Sequence, residues 1–246
     1  MIGKDLPTPD TITGRWAERG AFLRQAIRDP RSIGAVLPSG NALAAALAEP
    51  VRAGGPRPKS ILEVGAGTGS VTRALIDAAP RASRLDIIEA NRGFAARVGR
   101  LVDAHPLPRE RAVQTTVHQT LLERYDTDHR YDVIVSGLPL TNFEPLQVAK
   151  IMARLMALLH PGGTLTYIAY LGTRTARRLL ASPAESRRHD AVDQVMHTYR
   201  REYATSCRTI WANVPPARVW RLQRPAQDHR TRASCTPTGL RTEPVR

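Results

Sequence analysis

The chain has 246 residues, 42% hydrophobic and 24% charged, which describes a globular, soluble protein rather than a membrane-spanning one. The longest apolar run, Ala42 to Ala48, falls far short of the ~20 residues that cross a bilayer. Only two cysteines occur, Cys207 and Cys235, without metal-ligand spacing, so a disulfide framework or structural zinc is not expected and a reducing cytoplasm fits. The formal charge of +14 has two readings. It suits a polyanionic partner, either nucleic acid or an anionic membrane surface. It also suits the Arg-, Ala- and Pro-rich composition of a GC-rich genome, with no partner implied.

In chain order, "MIGKDLPTPD" has no apolar stretch of the signal-peptide kind, and residues 1–13 read as a flexible tail. "GRWAERGAFLRQAIRD" (14–29) reads as a helix with Trp16, Leu23 and Ile27 on one side. Two roles are open to it: a lid packed on the domain, or an interfacial helix whose Trp and Phe enter the headgroup region. A loop and a helix follow, capped around Pro38-Ser39-Gly40-Asn41, and "RAGGPRPKS" is a linker by composition. Strand and helix then alternate: "SILEVGA", "SVTRALIDAA", "SRLDIIEA", "RGFAARVGRLVDA", "AVQTTVHQT", "YDVIVSGLP", "EPLQVAKIMARLMALLH" and "TLTYIAYLG". Such alternation predicts an α/β fold, a parallel sheet covered by helices on both faces. Residues 173–205 read as Arg-rich and helical with an insertion. "CRTIWANV" and "ARVWRLQR" read as an antiparallel strand pair, and the polar segment 225–246 as disordered. The organisation is therefore a tail at 1–13, a helical lid or membrane-contact region at 14–55, the main α/β domain at 56–224, and a second tail at 225–246.

The strongest chemical signal is "LEVGAGTGSVT", in which Glu63 precedes Gly65, Gly67 and Gly69 at a strand-to-helix turn. The spacing differs from the G-x-G-x-x-G that seats a pyrophosphate. Close-set glycines let a ligand lie against the backbone, and an acid beside them suits a positive charge rather than a phosphate. Glu89 ends the next strand, followed by Ala90, where a carboxylate accepts both hydroxyls of a ribose. A ligand with a ribose, a positive charge and no phosphate is S-adenosylmethionine.

On these residues the chain resembles the class I S-adenosylmethionine-dependent methyltransferases over about residues 35–224. The resemblance implies a Rossmann-like seven-stranded, mostly parallel sheet of order 3-2-1-4-5-7-6, whose last strand is antiparallel and which carries an N-terminal helical extension. Many relatives place an acid after the third strand, against the adenine. Here "VHQT" offers His118 or Gln119 instead.

"SGLPLTNF" (136–143) follows the fourth strand. Gly137 and Pro139 stop the strand and are expected to leave carbonyls without partners. Methyltransferases of nucleobase amines carry a stacking ring at the position held here by Leu140. An aliphatic wall argues for an amine on a lipid-like substrate, although Phe143 offers a ring nearby. With "FLRQAIRDPRSIGAVLPSG", "YIAYLG" and "WANVPPARVWRL", the chain resembles the bacterial phospholipid N-methyltransferases, from about Trp16 to Leu222.

That resemblance implies an aminolipid substrate, either phosphatidylethanolamine with its methylated forms or an ornithine lipid. It also implies an N-terminal helix, with Trp16, on an anionic membrane, hence a peripheral enzyme at the inner face. The carbonyls of Ser136, Gly137 and Leu138 are expected to orient the amine, and Tyr170 to take part through a hydrogen bond or a water, if it is not simply packed. Ser39 and Gly40 close over the methionine end of the cofactor, or Ser39 only caps a helix. Arg174, Arg177 and Arg178 bind lipid phosphate, or form a solvated helix face. Asn213 with Pro215-Pro216 reads as structural. A monomer is favoured over an oligomer. The competing function is an rRNA adenine-type methyltransferase; in the lipid reading no nucleic acid partner is expected.

Overall fold

The apolar runs between Ser60 and Gln223 become one seven-stranded sheet in the computed structural model of the protein, which describes residues 40–105, 113–171, 183–213 and 216–226. Trp16, Ser39, Arg174, Arg177, Arg178 and Pro215 lie outside the described residues, as do both tails apart from residues 225 and 226. The strands are β1 (Ser60–Val64), β2 (Arg84–Ile88), β3 (Gln114–His118), β4 (Tyr131–Ser136), β5 (Leu159–Tyr170), β6 (Ala204–Ile210) and β7 (Ala217–Gln223). Their order is β3-β2-β1-β4-β5-β7-β6, and β7 alone is reversed, pairing antiparallel with β5 and with β6. This is the Rossmann-like methyltransferase topology expected from the sequence.

Central strands are apolar on both faces because helices cover both. On one face lie α1 (Asn41–Leu47), α2 (Glu49–Ala53), α3 (Ser70–Ala78) and α4 (Arg92–Asp103), packing Leu47, Leu75 and Val98 on Ile61, Leu85 and Val133. On the other lie α5 (Pro145–Leu158) and α6 (Pro183–Tyr203), packing Met152, Val192 and Met196 on Leu62, Ile134 and Leu165. Local chemistry sets the helix ends. Asn91 caps α4 by accepting from the amides of Gly93 and Phe94. Glu144 and Gln147 form a capping box on α5, with Pro145 in the first turn.

Three boundaries differ from the sequence reading. The helix after Gly40 is two short helices, broken at Ala48 just before Pro50. β5 begins at Leu159 and runs through Pro161-Gly162-Gly163, with an irregular register against β4. β6 starts at Ala204, so Trp211 stands in the turn after it rather than in the strand, and is 75% exposed. Among the described residues no helix is long and apolar enough to cross a membrane.

Candidate active site

Ligands of open α/β sheets bind at the carboxyl edge where the strand order reverses, here between β1 and β4. The two strand ends touch through glycines. Gly65 has φ +78°, and a Cβ there would meet Leu138 Cδ2 at 3.0 Å. A Cβ on Gly137 would stand 2.5 Å from the Gly65 carbonyl oxygen, a contact that backbone cannot relieve cheaply. The Gly137 amide closes the pair by donating to the Val64 carbonyl at 2.8 Å.

Glu63 points to the α3 face and is 1% exposed, accepting a 2.7 Å hydrogen bond from Thr72 Oγ1. Burial pushes its carboxyl up to about 7; the bond from Thr72 opposes this and the nearby Glu89 charge adds to it. Glu89 spans the mouth of the turn. One carboxylate oxygen accepts from the Gly67 amide at 2.9 Å and the other from the Asn91 amide at 2.8 Å. Gly67, with φ +54°, has open space where a side chain would be. Gly69, at the N-terminus of α3, completes the loop.

Beside this loop opens a narrow cleft lined by Val64, Gly65, Ile88, Glu89, Ala90, Thr120, Leu121, Leu122, Glu123, Leu138, Phe143 and Ile151. It is an apolar slot with a carboxylate at its rim. Of the residues singled out in the sequence, Gly65, Glu89, Ala90, Leu138 and Phe143 come together around this slot. The sequence reading missed Thr120 to Glu123, which enter the slot one residue beyond the "VHQ" expected to touch adenine. Gln119 is exposed on a neighbouring groove and does not line the slot. His118 is committed to Asp86, whose Oδ1 lies 3.1 Å from His118 Nε2. Asp86 is fully buried; burial works against its ionisation, but bonds from Arg84, His118 and Tyr131 outweigh it and hold the carboxyl below its ordinary range.

The turn after β4 is a specific piece of backbone. Pro139 sits at φ −77°, ψ 75°, and the Leu140 amide reaches back to the Leu138 carbonyl at 2.9 Å, an inverse γ-turn. The Asn142 amide then bonds the Pro139 carbonyl at 2.8 Å within a 3-10 turn, Leu140–Asn142. The carbonyls of Leu138 and Pro139 therefore have partners inside the turn, against the expectation of unpaired strand-end acceptors. A carbonyl has a second lone pair, so Leu138 can still accept from an amine. Ser136 is fully buried, with Oγ 3.4 Å from the Leu138 amide. Leu140 and Phe143 are each 5% exposed and both belong to the core under α5.

Tyr170 is half-buried at the end of β5, on the α1 face, opposite the side to which Tyr167 is buried. Gly40 joins the same edge: its amide donates to Asn213 Oδ1 at 3.1 Å, tying the start of α1 to the β6–β7 turn. The structure thus gathers the glycine loop, Glu89, the slot and the β4 turn into one cleft. Tyr170, Gly40 and Asn213 lie further along the same edge.

Residues 61–163, which include this glycine loop, the slot and the β4 turn, match the family model of a methyltransferase domain. Residues 61–163 thus form a methyltransferase domain, set in a sheet of the class I methyltransferase order. The fold of that domain recurs in N-methyltransferase NodS from Bradyrhizobium japonicum WM9 in complex with S-adenosyl-L-homocysteine, at TM-score 0.57 and 17% identity over 82% of this chain and 97% of that one. It recurs in the O-methyltransferase TomG from Streptomyces achromogenes in complex with S-adenosylmethionine, at 0.54 and 18% over 82% and 89%. The magnesium protoporphyrin IX methyltransferase ChlM from Synechocystis PCC 6803, with bound S-adenosylmethionine, gives 0.54 and 12% over 90% and 100%. At such identities the likeness is one of fold. No curated protein matches the chain significantly.

The residues of the methyltransferase domain fit S-adenosylmethionine, the cofactor of this class. Glu89 presents two acceptor oxygens for a ribose diol, the slot offers Ala90, Ile88, Leu138 and Ile151 to a flat base, and Glu63 lies buried beneath the glycine loop, where a cationic ligand would favour its ionised form. The side-chain-free Gly67 leaves room for a ligand against the backbone.

Proposed function

We propose that the protein is an N-methyltransferase whose acceptor is the amine of an aminolipid: phosphatidylethanolamine and its methylated forms, or an ornithine lipid. The observation that carries the acceptor class is the turn after β4. Leu140, at the position of the stacking ring, is aliphatic and buried in the core, and Phe143, which lines the slot, is only 5% exposed, so this turn gives a flipped base little aromatic face on which to stack. What remains beside the cleft is backbone and an aliphatic wall, which suits a primary amine on a lipid-like molecule. The sequence likeness of this turn and of the flanking segments to phospholipid N-methyltransferases supports the same class.

Bound S-adenosylmethionine supplies an electrophilic methyl group on a good leaving group. This chain then has to orient the acceptor, exclude water and receive a proton. The amine would have to attack as the free base, giving up one proton to water, so the residues of this chain would hold its nitrogen in line with the methyl group that the cofactor would supply. The Leu138 carbonyl, fixed by the γ-turn, and the strand end at Ser136 and Gly137 aim the nitrogen. Tyr170, on the same edge, holds the departing proton through a hydrogen bond or a water.

The test is incubation of the pure protein with methyl-labelled S-adenosylmethionine and mixed vesicles of phosphatidylethanolamine, ornithine lipid and an anionic carrier, with a parallel tube of total RNA. One to three methyl groups on an aminolipid, resolved by mass, is the expected result. Label confined to RNA, or to neither tube, overturns the aminolipid reading.

A further inference from the structure

The β4 turn is held from outside by one side chain. Arg188, on α6, donates through one guanidinium nitrogen to the Thr141 carbonyl at 3.2 Å and the Phe143 carbonyl at 3.3 Å. Its Nε lies 4.0 Å from Glu144 Oε1, and its other terminal nitrogen lies 3.4 Å from His189 Nε2. The side chain is 24% exposed. The turn's own hydrogen bonds close its inner side, Leu140 to Leu138, Asn142 to Pro139 and Phe143 to Leu140. The two outward carbonyls are the ones Arg188 takes.

Its place on α6 is set by the core. Arg188, Val192 and Met196 recur every four residues on one helical face, and Val192 and Met196 are buried at 2% and 4%. The apolar stripe that docks α6 on α5 thus ends in a guanidinium, and the docking aims it at the turn. Tyr199, further along the same helix, bonds the Ala149 carbonyl of α5 and fixes the same register. A merely solvated arginine at the helix edge would not be needed in that stripe.

We propose that Arg188 is a positioning residue for methyl transfer: it clamps the turn Leu138–Phe143 against the cofactor cleft and so sets where the acceptor amine stands. The link to the cleft is direct, because Leu138 and Phe143, at either end of the clamped segment, both line the slot. A charge-assisted bond to backbone carbonyls is stronger than a neutral one and acts without touching the acceptor. Loss of the clamp lets the turn shift, and a misplacement of about 1 Å lowers transfer by about a hundredfold. The identity of the acceptor rests on the aminolipid reading; the clamp itself does not.

The experiment compares wild type with Arg188→Met and Arg188→Lys in three readouts. Amide hydrogen exchange reports the turn, calorimetry reports affinity for S-adenosylhomocysteine, and the vesicle assay reports kcat and KM. In Arg188→Met, exchange at Leu140, Asn142 and Phe143 rises about tenfold while exchange in β1, β4 and β5 stays unchanged. In the same variant kcat falls about ten- to a hundredfold at little changed KM for S-adenosylmethionine. Arg188→Lys, which restores one donor, recovers part of both. Unchanged exchange in the turn, or a rise spread over the whole sheet, overturns the proposal. If wild type methylates no lipid, the aminolipid reading falls, and exchange in the turn still decides the role of Arg188.

Discussion

At the scale of single residues, Glu63 carries the clearest consequence for pH. Its carboxyl is buried under the glycine loop and is pushed from 4.5 to about 7, chiefly by desolvation. In the unfolded chain the group titrates near its ordinary value, so between about pH 4.5 and 7 the folded state holds a proton that the unfolded state has lost. Stability from this group is therefore fully present at low pH and falls as pH rises through that window, by an amount of order 3 kcal/mol. A cationic cofactor reverses the preference, because it favours the ionised carboxylate. S-adenosylmethionine should thus bind more tightly at pH 8 than at pH 6, with protons released on binding at pH 6. Glu63→Gln, which mimics the protonated form, should flatten that dependence and raise the urea midpoint of the cofactor-free protein relative to wild type at pH 8. Calorimetry and urea titration at the two pH values check both. A wild-type affinity independent of pH would remove Glu63 from the cofactor's charge environment.

At the scale of elements, α5 is the piece that presents the β4 turn, and both its ends are held by distant parts of the chain. Arg188 and the Glu144–Gln147 capping box hold the N-terminus. At the other end Arg224, just after β7, donates through one nitrogen to the carbonyls of Met156, Ala157 and Leu159, at 3.3, 3.2 and 2.7 Å. Met156 also accepts from the Leu159 amide at the C-cap, whereas Ala157 belongs to the last turn, whose carbonyls a helix leaves without an internal partner. Arg224→Met should cost about 2 kcal/mol in urea denaturation, with the apolar stem retained and the charged hydrogen bonds lost. Neither clamp was legible in the sequence, because each joins residues more than forty positions apart and arginine is common throughout this chain. The elements themselves were legible where the pattern was strong: β1, β2 and β4 are short, mostly apolar runs rich in Ile, Leu and Val, and they are buried on both faces. Failures fell where competing signals exist. Pro161-Gly162-Gly163 reads as a turn, yet β5 passes through it with Gly162 at φ +80°. β6 is an edge strand exposed over most of its length, so its "ATSC" start shows no alternation, and Trp211 looked like part of the strand. The cofactor loop was readable because glycine spacing is a local constraint on backbone. The opposite wall of the slot was not, because Thr120 to Glu123 reach it through the path of a loop that no side-chain type announces.

At the scale of the whole molecule, the acceptor and the charge have to be considered together. The cleft opens at the carboxyl edge of the sheet. Leu146, in the first turn of α5, and Trp211, after β6, stand on that edge at 68% and 75% exposure. Arg208 and Arg218 are exposed on the same hairpin as Trp211. An aminolipid whose chains stay in the bilayer can reach such a cleft only if this edge faces the membrane. Apolar tips then enter the interface while basic residues meet anionic headgroups. The net charge of +14 makes that encounter dependent on salt, since attraction beyond about 10 Å is screened at 0.1 M. Co-sedimentation should show binding to vesicles containing an anionic lipid and little binding to zwitterionic vesicles, with most of it lost in about 0.5 M salt. Trp211→Ala with Leu146→Ala should weaken binding at low salt by at least about tenfold, the size expected from withdrawing two large apolar side chains from a lipid interface. Neither residue lines the cofactor slot, so affinity for S-adenosylhomocysteine should be unchanged in that variant. Salt dependence alone does not discriminate, because RNA binding by a basic protein shows it too; the apolar pair does, since a phosphate backbone gains nothing from them. Equal vesicle binding by wild type and the double variant would place the membrane contact elsewhere on the chain, and equal binding to zwitterionic and anionic vesicles would leave the charge without a lipid partner.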